Sequence, residues 1–215
     1  MTVIAGAGDL NTDGKADALA RDSSGVLWFY PGNGKGTFGT RARIGGGWNV
    51  MTALAATEDF DDDGKADLLA RDGGGALWSY RGNGDGAFPT RMKVTSGWNP
   101  MTAITPAEDR MRDGRADLLA RDRNGVLWFY PGDGAGGLRY PLRVGAGWNA
   151  MTAVVGTGDF NSERLRNSGW IGDGWADVVA RDSSGVLWFY PGNGRGEYGP
   201  RTRIGAGWNV MTSIS

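Results

Sequence analysis

Residues 9–17 read Asp9-Leu10-Asn11-Thr12-Asp13-Gly14-Lys15-Ala16-Asp17, with side-chain oxygens at loop positions one, three, five and nine and glycine at six. Alternating side chains on such a loop converge on one centre, the glycine permits the sharp turn, and position seven, Lys15, offers its backbone carbonyl. Oxygen donors in this register suit Ca²⁺. Asp59, Asp61, Asp63, Lys65 and Asp67 repeat the register. A third loop keeps Asp109, Asp113, Arg115 and Asp117 but places Met111 at an oxygen position, between Arg110 and Arg112, so weak or absent binding is expected there. In a fourth, Asp159, Asn161, Asp173, Trp175 and Asp177 reach one ion provided that residues 162–171 loop outward. Position twelve is Ala20, Ala70, Ala120 or Ala180 rather than a bidentate Glu, which argues for affinities of roughly 10⁻⁴–10⁻³ M.

Composition narrows the remaining chemistry. Among 215 residues there is neither Cys nor His. That removes disulfides, thiol nucleophiles, Ser–His pairs and the usual transition-metal ligand. Formal net charge is −1, from 23 basic and 24 acidic residues, which gives no electrostatic reason to expect nucleic acid. No apolar run approaches the ~20 residues of a membrane-spanning helix, so membrane insertion is not expected. An enzyme is not expected either. Most carboxylates are committed to the loops, and a near-identical repeat distributes sites instead of building one asymmetric pocket.

The loops belong to a repeat. Trp28, Trp78, Trp128 and Trp188 lie in matching segments, and Trp48, Trp98, Trp148 and Trp208 form a second series in Gly-Trp-Asn. Copies one and four share RDSSGVLWFYPGNG. The copies run 1–50, 51–100, 101–150 and 151–210, the last enlarged by the insertion 162–171, and residues 211–215 repeat the opening as one extra strand. In copy two, strands are expected at 51–57, 66–72, 76–80 and 91–98, with Arg21–Gly25 and Pro31–Gly34 as turns in copy one. One such sheet cannot bury both faces alone, whereas radially packed sheets bury each other. The expected fold is therefore all-β, a β-propeller of four four-stranded blades of about 50 residues. The start at a repeat boundary suggests a fragment, and the outcomes are a four-bladed ring with a redundant or exchanged strand, a larger ring completed by self-association into a homo-oligomer, which exposed edges favour, or a piece of a larger chain.

The loop residues Asp9, Asn11, Asp13, Gly14 and Asp17, followed by Ala-Asp-hydrophobic-hydrophobic-Ala-Arg-Asp, resemble FG-GAP/VCBS repeats, the Ca²⁺-loop propeller units related to the integrin α-subunit head. Phe38-Gly39 matches the first half of the family name, whereas Phe88-Pro89 and Leu138-Arg139 do not. The resemblance implies Ca²⁺ in the loops, a secreted or extracellular protein, and a lectin-like or adhesive role, often beside hydrolase domains.

Candidate ligand contacts follow from sugar chemistry. A sugar offers C–H faces and a fringe of hydroxyls, which aromatic rings beside amides can meet. Trp48 with Asn49, Trp98 with Asn99, Trp148 with Asn149 and Trp208 with Asn209 supply that pairing, and the insertion adds Trp170. Gap-filling between blades is the competing role for these Trp residues. Trp28 and its counterparts are expected to pack blade on blade, and Arg21, Arg71, Arg121 and Arg181 to form ion pairs. The turn from Asp22 to Trp28 resembles the Asp-box hairpin of sialidases, its Asp one residue out of register. The favoured reading is a Ca²⁺-binding module for carbohydrate. A protein-interaction or self-assembly module and an accessory domain of a secreted hydrolase are the alternatives.

Overall fold

A computed structural model describes residues 3–161, 163–165, 169–171, 174–195 and 197–210. The chain forms two compact units, one of Met1–Pro100 with Gly132–Leu138 and the other of Met101–Pro131 with Arg139–Ser215. The expected class holds: the chain is all-β and is built from four four-stranded antiparallel blades of the β-propeller type.

In the first unit one blade runs β1 (Val3–Ala7), β2 (Asp17–Arg21), β3 (Leu27–Tyr30) and β4 (Ala42–Gly45). Its neighbour runs β5 (Met51–Ala56), β6 (Leu68–Asp72), β7 (Leu77–Arg81) and β8 (Thr90–Thr95). In the second unit β9 (Met101–Glu108), β10 (Asp117–Asp122), β11 (Leu127–Tyr130) and β12 (Leu142–Gly145) form one blade. The other begins with β13 (Met151–Gly156) and then carries a separate pair, β14 (Glu163–Leu165) and β15 (Gly169–Ile171), supplied by the insertion. It continues with β16 (Val178–Asp182), β17 (Leu187–Tyr190) and β18 (Thr202–Gly205). The expected extra strand 211–215 lies outside the described residues. No helix among the described residues is long and apolar enough to cross a membrane.

Period-two alternation builds the strands. In β3, Leu27 and Phe29 are buried while Trp28 and Tyr30 are half-buried, the pattern of a sheet face set into a core. Leu19, Leu27, Phe29, Leu68 and Tyr80 fill the core of the first unit, and Leu119, Leu127, Phe129, Val178 and Ala180 that of the second. Each fully buried Leu or Phe contributes about 1.5–3 kcal/mol. The fourth strand of copy two stops at Thr95, short of the expected Trp98. Gly97, at φ +84°, turns the chain there, and in copies one and three the equivalent turn leads into short 3₁₀ segments, Trp48–Val50 and Trp148–Ala150. The hairpin glycine Gly25 adopts the expected left-handed conformation at φ +80°.

Candidate metal loops and a ligand pocket

Each Asp loop closes on its own backbone. In copy one the Asp9 carboxylate accepts from the Asp13 and Gly14 N–H groups at 3.0 and 2.6 Å. Asn11 Oδ1 also accepts from Asp13 N–H, and Asp13 accepts from Lys15 N–H. Gly14 sits at φ +80°, the conformation that position six requires. Asp17 is buried, and its two oxygens accept from Leu10 N–H at 2.9 Å and Gly32 N–H at 2.8 Å. Position nine is therefore a strut between the loop and the turn after β3. Each oxygen keeps a second lone pair, so this role is compatible with a cation. The Lys15 ammonium pairs with the outer Asp13 oxygen at 2.9 Å.

Copy two repeats this frame. Asp59 accepts from Asp63 and Gly64, Asp63 from Lys65, and Asp67 from Phe60 and Gly82. Asp59, Asp61 and Asp67 bring one oxygen each to within 4.8 Å of one another. Burial pushes the Asp67 carboxyl up to about 6, with Asp61 and Asp63 adding like charge. Burial likewise raises the Asp61 carboxyl, against the opposing Arg81 charge. Neither Asp61 oxygen has a hydrogen-bond partner of normal geometry. Three converging carboxylates, of which Asp61 meets the Arg81 guanidinium at 2.6 Å, are hard donors that fit a divalent cation.

Copies three and four depart in different ways. Asp109 still accepts from Asp113 and Gly114, and Asp117 from Arg110 N–H. Met111 is partly exposed, and Asp113 is held by two guanidiniums, Arg115 at 3.2 Å and Arg139 at 3.0 Å. Arg110 turns inward, with the Asp117 carboxylate of the loop among its charged neighbours. It is 1% exposed, lies over the Tyr198 ring at 3.8 Å and donates to the Glu197 carbonyl. Arg112 donates to the Gly174 carbonyl and covers Trp175. In copy four, Gly174 N–H reaches Asp159 at 2.9 Å, and Asp177 accepts from Phe160, Asn161 and Gly192. The loop thus closes across the insertion as Gly14 closes on Asp9. Asp173 lies outside the described residues, as does the side chain of Trp170.

The aromatic–amide candidates require correction. Trp48, Trp98 and Trp148 are only 8%, 4% and 7% exposed, so their faces are not free to stack on a sugar. Trp48 packs on Tyr80 and Trp148 on Tyr190, with ring centroids 4.7 Å apart in both pairs. Asn49, Asn99, Asn149 and Asn209 lie against the hairpin glycines Gly25, Gly75, Gly125 and Gly185, where an added Cβ would come within 2.5–2.8 Å of the amide. They cover those turns. Trp208 is more open, at 38%.

Two further sets are anchored by polar contacts. Trp28 Nε1 donates to Asp22 at 2.8 Å, and the Arg41 guanidinium covers its ring at 4.1 Å, while its counterparts Trp78 and Trp188 also pack against core clusters drawn from two blades. The same pairing recurs at Asp72–Trp78, Asp122–Trp128 and Asp182–Trp188. Arg21 spends its guanidinium on the Trp48 and Met51 carbonyls, and Arg121 on those of Trp148 and Met151. These arginines hold the segment that leads into the next blade.

In the second unit this packing leaves a pocket of about 180 Å³ lined by Ala146, Gly147, Trp148, Met151, Tyr190 and Arg201. Arg201 lies over Trp188 at 4.1 Å and donates to the Tyr190 hydroxyl at 3.4 Å. In the first unit Arg91 covers Trp78 at 4.4 Å and donates to Tyr80 at 2.8 Å, beside Trp48. Tyr190 and Arg201 escaped the sequence reading. Their signal was the recurrence of Arg41, Arg91 and Arg201 eleven residues after a Tyr, broken by Pro141 in copy three.

Four-stranded blades carrying Asp loops at the entry to the second strand define a repeat protein of the β-propeller class. The FG-GAP-like repeat family matches residues 9–70 and again 59–120, just over half of the chain. The chain belongs to that family. No curated protein matches the chain. Among solved structures, it is similar to a lectin of Agrocybe aegerita described as recognising non-reducing terminal N-acetylglucosamine, at TM-score 0.57 and 17% identity over 94% of this chain. It is also similar to the BP39L lectin of Burkholderia pseudomallei, at TM-score 0.55 and 18% identity over 94% of this chain. The chain spans 51% and 55% of those proteins. At such identities the likeness establishes the fold.

Proposed function

We propose that this chain is a non-catalytic, secreted, lectin-like module whose Asp loops are held by Ca²⁺ and whose pocket takes a single terminal sugar ring. The pocket around Tyr190 and Arg201 carries the reading. Its volume is below the roughly 300–1,000 Å³ of sites for drug-sized ligands, which suits one ring better than an extended chain. Tyr190 offers apolar surface to C–H groups, while the Arg201 guanidinium supplies donors to hydroxyls. None of the lining residues is a carboxylate, so the pocket holds no acid–base pair of the kind glycoside hydrolysis uses. The lectin neighbours support the same reading.

Ca²⁺ would neutralise the carboxylates of loops one, two and four, with Asp9, Asn11, Asp13, the Lys15 carbonyl and Asp17 as the donors in copy one. Its place in the proposal is structural, because the loops and the pocket are built from different residues. A glycan array run with and without chelator tests the proposal. Selective retention of glycans with one terminal sugar is expected, and Arg201→Ala is expected to weaken it. Failure to retain any glycan in millimolar Ca²⁺ would remove the carbohydrate reading.

A further inference from the structure

Loop two carries more negative charge than its counterparts. Position three is Asn11, Met111 and Asn161 in the other copies but Asp61 here. The Asp61 side chain is only 1% exposed, and Arg81 Nε lies 2.6 Å from its Oδ2. The residue equivalent to Arg81 is Pro31, Pro131 and Pro191 elsewhere. Copy two thus carries a charged residue at each of two positions where the other three copies have none, and those two side chains form an ion pair.

The surroundings explain why the pair matters. Gly136 packs against this loop, its N–H donating to the Phe60 carbonyl at 3.2 Å. A Cβ on Gly136 would fall 2.9 Å from Met92 Sδ and 3.5 Å from Asp61 Cβ. Beneath this cover a lone carboxylate would be costly, because burial penalises the charged form. Arg81 supplies the opposite charge from the exposed side, where its own side chain is 46% exposed.

We infer that Arg81 is a built-in counter-cation for loop two, so that Ca²⁺ must compete with it for Asp61 and the loop stays closed at low Ca²⁺. The inference rests on the Ca²⁺ reading of the loops and adds an order among them. Loop two, with the most carboxylates, depends least on the ion and gains least from it. The pair is partly solvated, so its competition with the ion is screened. Replacing Arg81 with Ala is expected to tighten Ca²⁺ binding at one site by roughly tenfold, equivalent to about 1.4 kcal/mol.

Calorimetric titration of the full chain with CaCl₂ tests this in the wild type, Arg81→Ala, Arg81→Lys and an Arg81→Ala/Asp59→Ala double variant. The expected result is a tightened site in Arg81→Ala, lost in the double variant and absent from Arg81→Lys, which keeps the charge. Melting in EDTA adds a second readout. Arg81→Ala should melt below the wild type and gain more from added Ca²⁺. Unchanged or weaker binding in Arg81→Ala, with wild-type binding intact, would overturn the role of Arg81 alone. Equal tightening in the Ala and Lys variants would show that charge is not the cause. No Ca²⁺ binding by any protein in the series would remove the loop reading and this inference with it.

Discussion

In each blade hairpin one carboxylate gathers the donors of a whole turn. Asp22 Oδ1 accepts from the Ser24 and Val26 N–H groups and the Ser24 hydroxyl, and Oδ2 from the Trp28 indole. The Ser24 hydroxyl and the Trp28 indole hold the Asp22 carboxyl well below its ordinary value. In Asp72, Asp122 and Asp182 the Trp contact is the largest cause of the same downward shift. A carboxyl depressed in the folded chain contributes stability that is fully present above its unfolded value, about 3.9, and is lost as pH falls towards the folded value. Melting temperature is therefore expected to drop between about pH 4 and pH 2. An Asp22→Asn/Asp182→Asn variant should melt lower at pH 7 and show a shallower acid slope, and parallel slopes would count against this origin. At this scale the sequence was only half legible. Asp22 and Trp28 were recognisable as an Asp-box-like turn, but the stacking of Arg41 on Trp28 joins residues thirteen apart through the β3–β4 pairing, a relation that local spacing does not encode.

The loops and strands depend on a few close backbone approaches. A Cβ on Gly32, Gly82 or Gly192 would lie 1.9–2.2 Å from the carbonyl oxygen of Ala16, Ala66 or Ala176. The same glycines donate N–H groups to Asp17, Asp67 and Asp177. Backbone faces backbone here, so no side chain can swing away. Gly82→Ala is expected to cost at least the ~1–3 kcal/mol typical of overpacking, measured as a lower urea midpoint with an unchanged slope. A midpoint within error of the wild type would show that the turn yields easily. The Pro-Gly-Asn-Gly turn was plain from composition, and strand existence from period-two alternation. The strand end at Thr95 was misjudged because Gly97, not side-chain pattern, stops it. The requirement for glycine at position 32 comes from a contact sixteen residues away and could not be read in advance.

Across the molecule the repeat recurs in its side-chain sets as well as in its strands. The Trp–Tyr–Arg set occurs at Trp48, Tyr80 and Arg91 in one unit and at Trp148, Tyr190 and Arg201 in the other. Arg91→Ala is expected to lower the number of sugar sites per chain by one in calorimetry while leaving the remaining affinity unchanged, and to weaken retention on a dense glycan surface more than in solution. An unchanged stoichiometry would show that the first-unit set does not bind. The class of fold was legible because the 50-residue period survives in four copies. The pocket was not, because the expected Trp residues are largely buried and Tyr190, on β17, and Arg201, just before β18, complete its lining. One joint between copies has a wider consequence. Leu10 carbonyl receives Gly86 N–H from the following copy, and Phe60 carbonyl receives Gly136 N–H from the one after. Donor and acceptor occupy different places in the unit, so the joint is head-to-tail rather than self-complementary. A tandem duplication would therefore arrive with a working seam at both ends, and array length could drift in evolution without a new interface having to be invented.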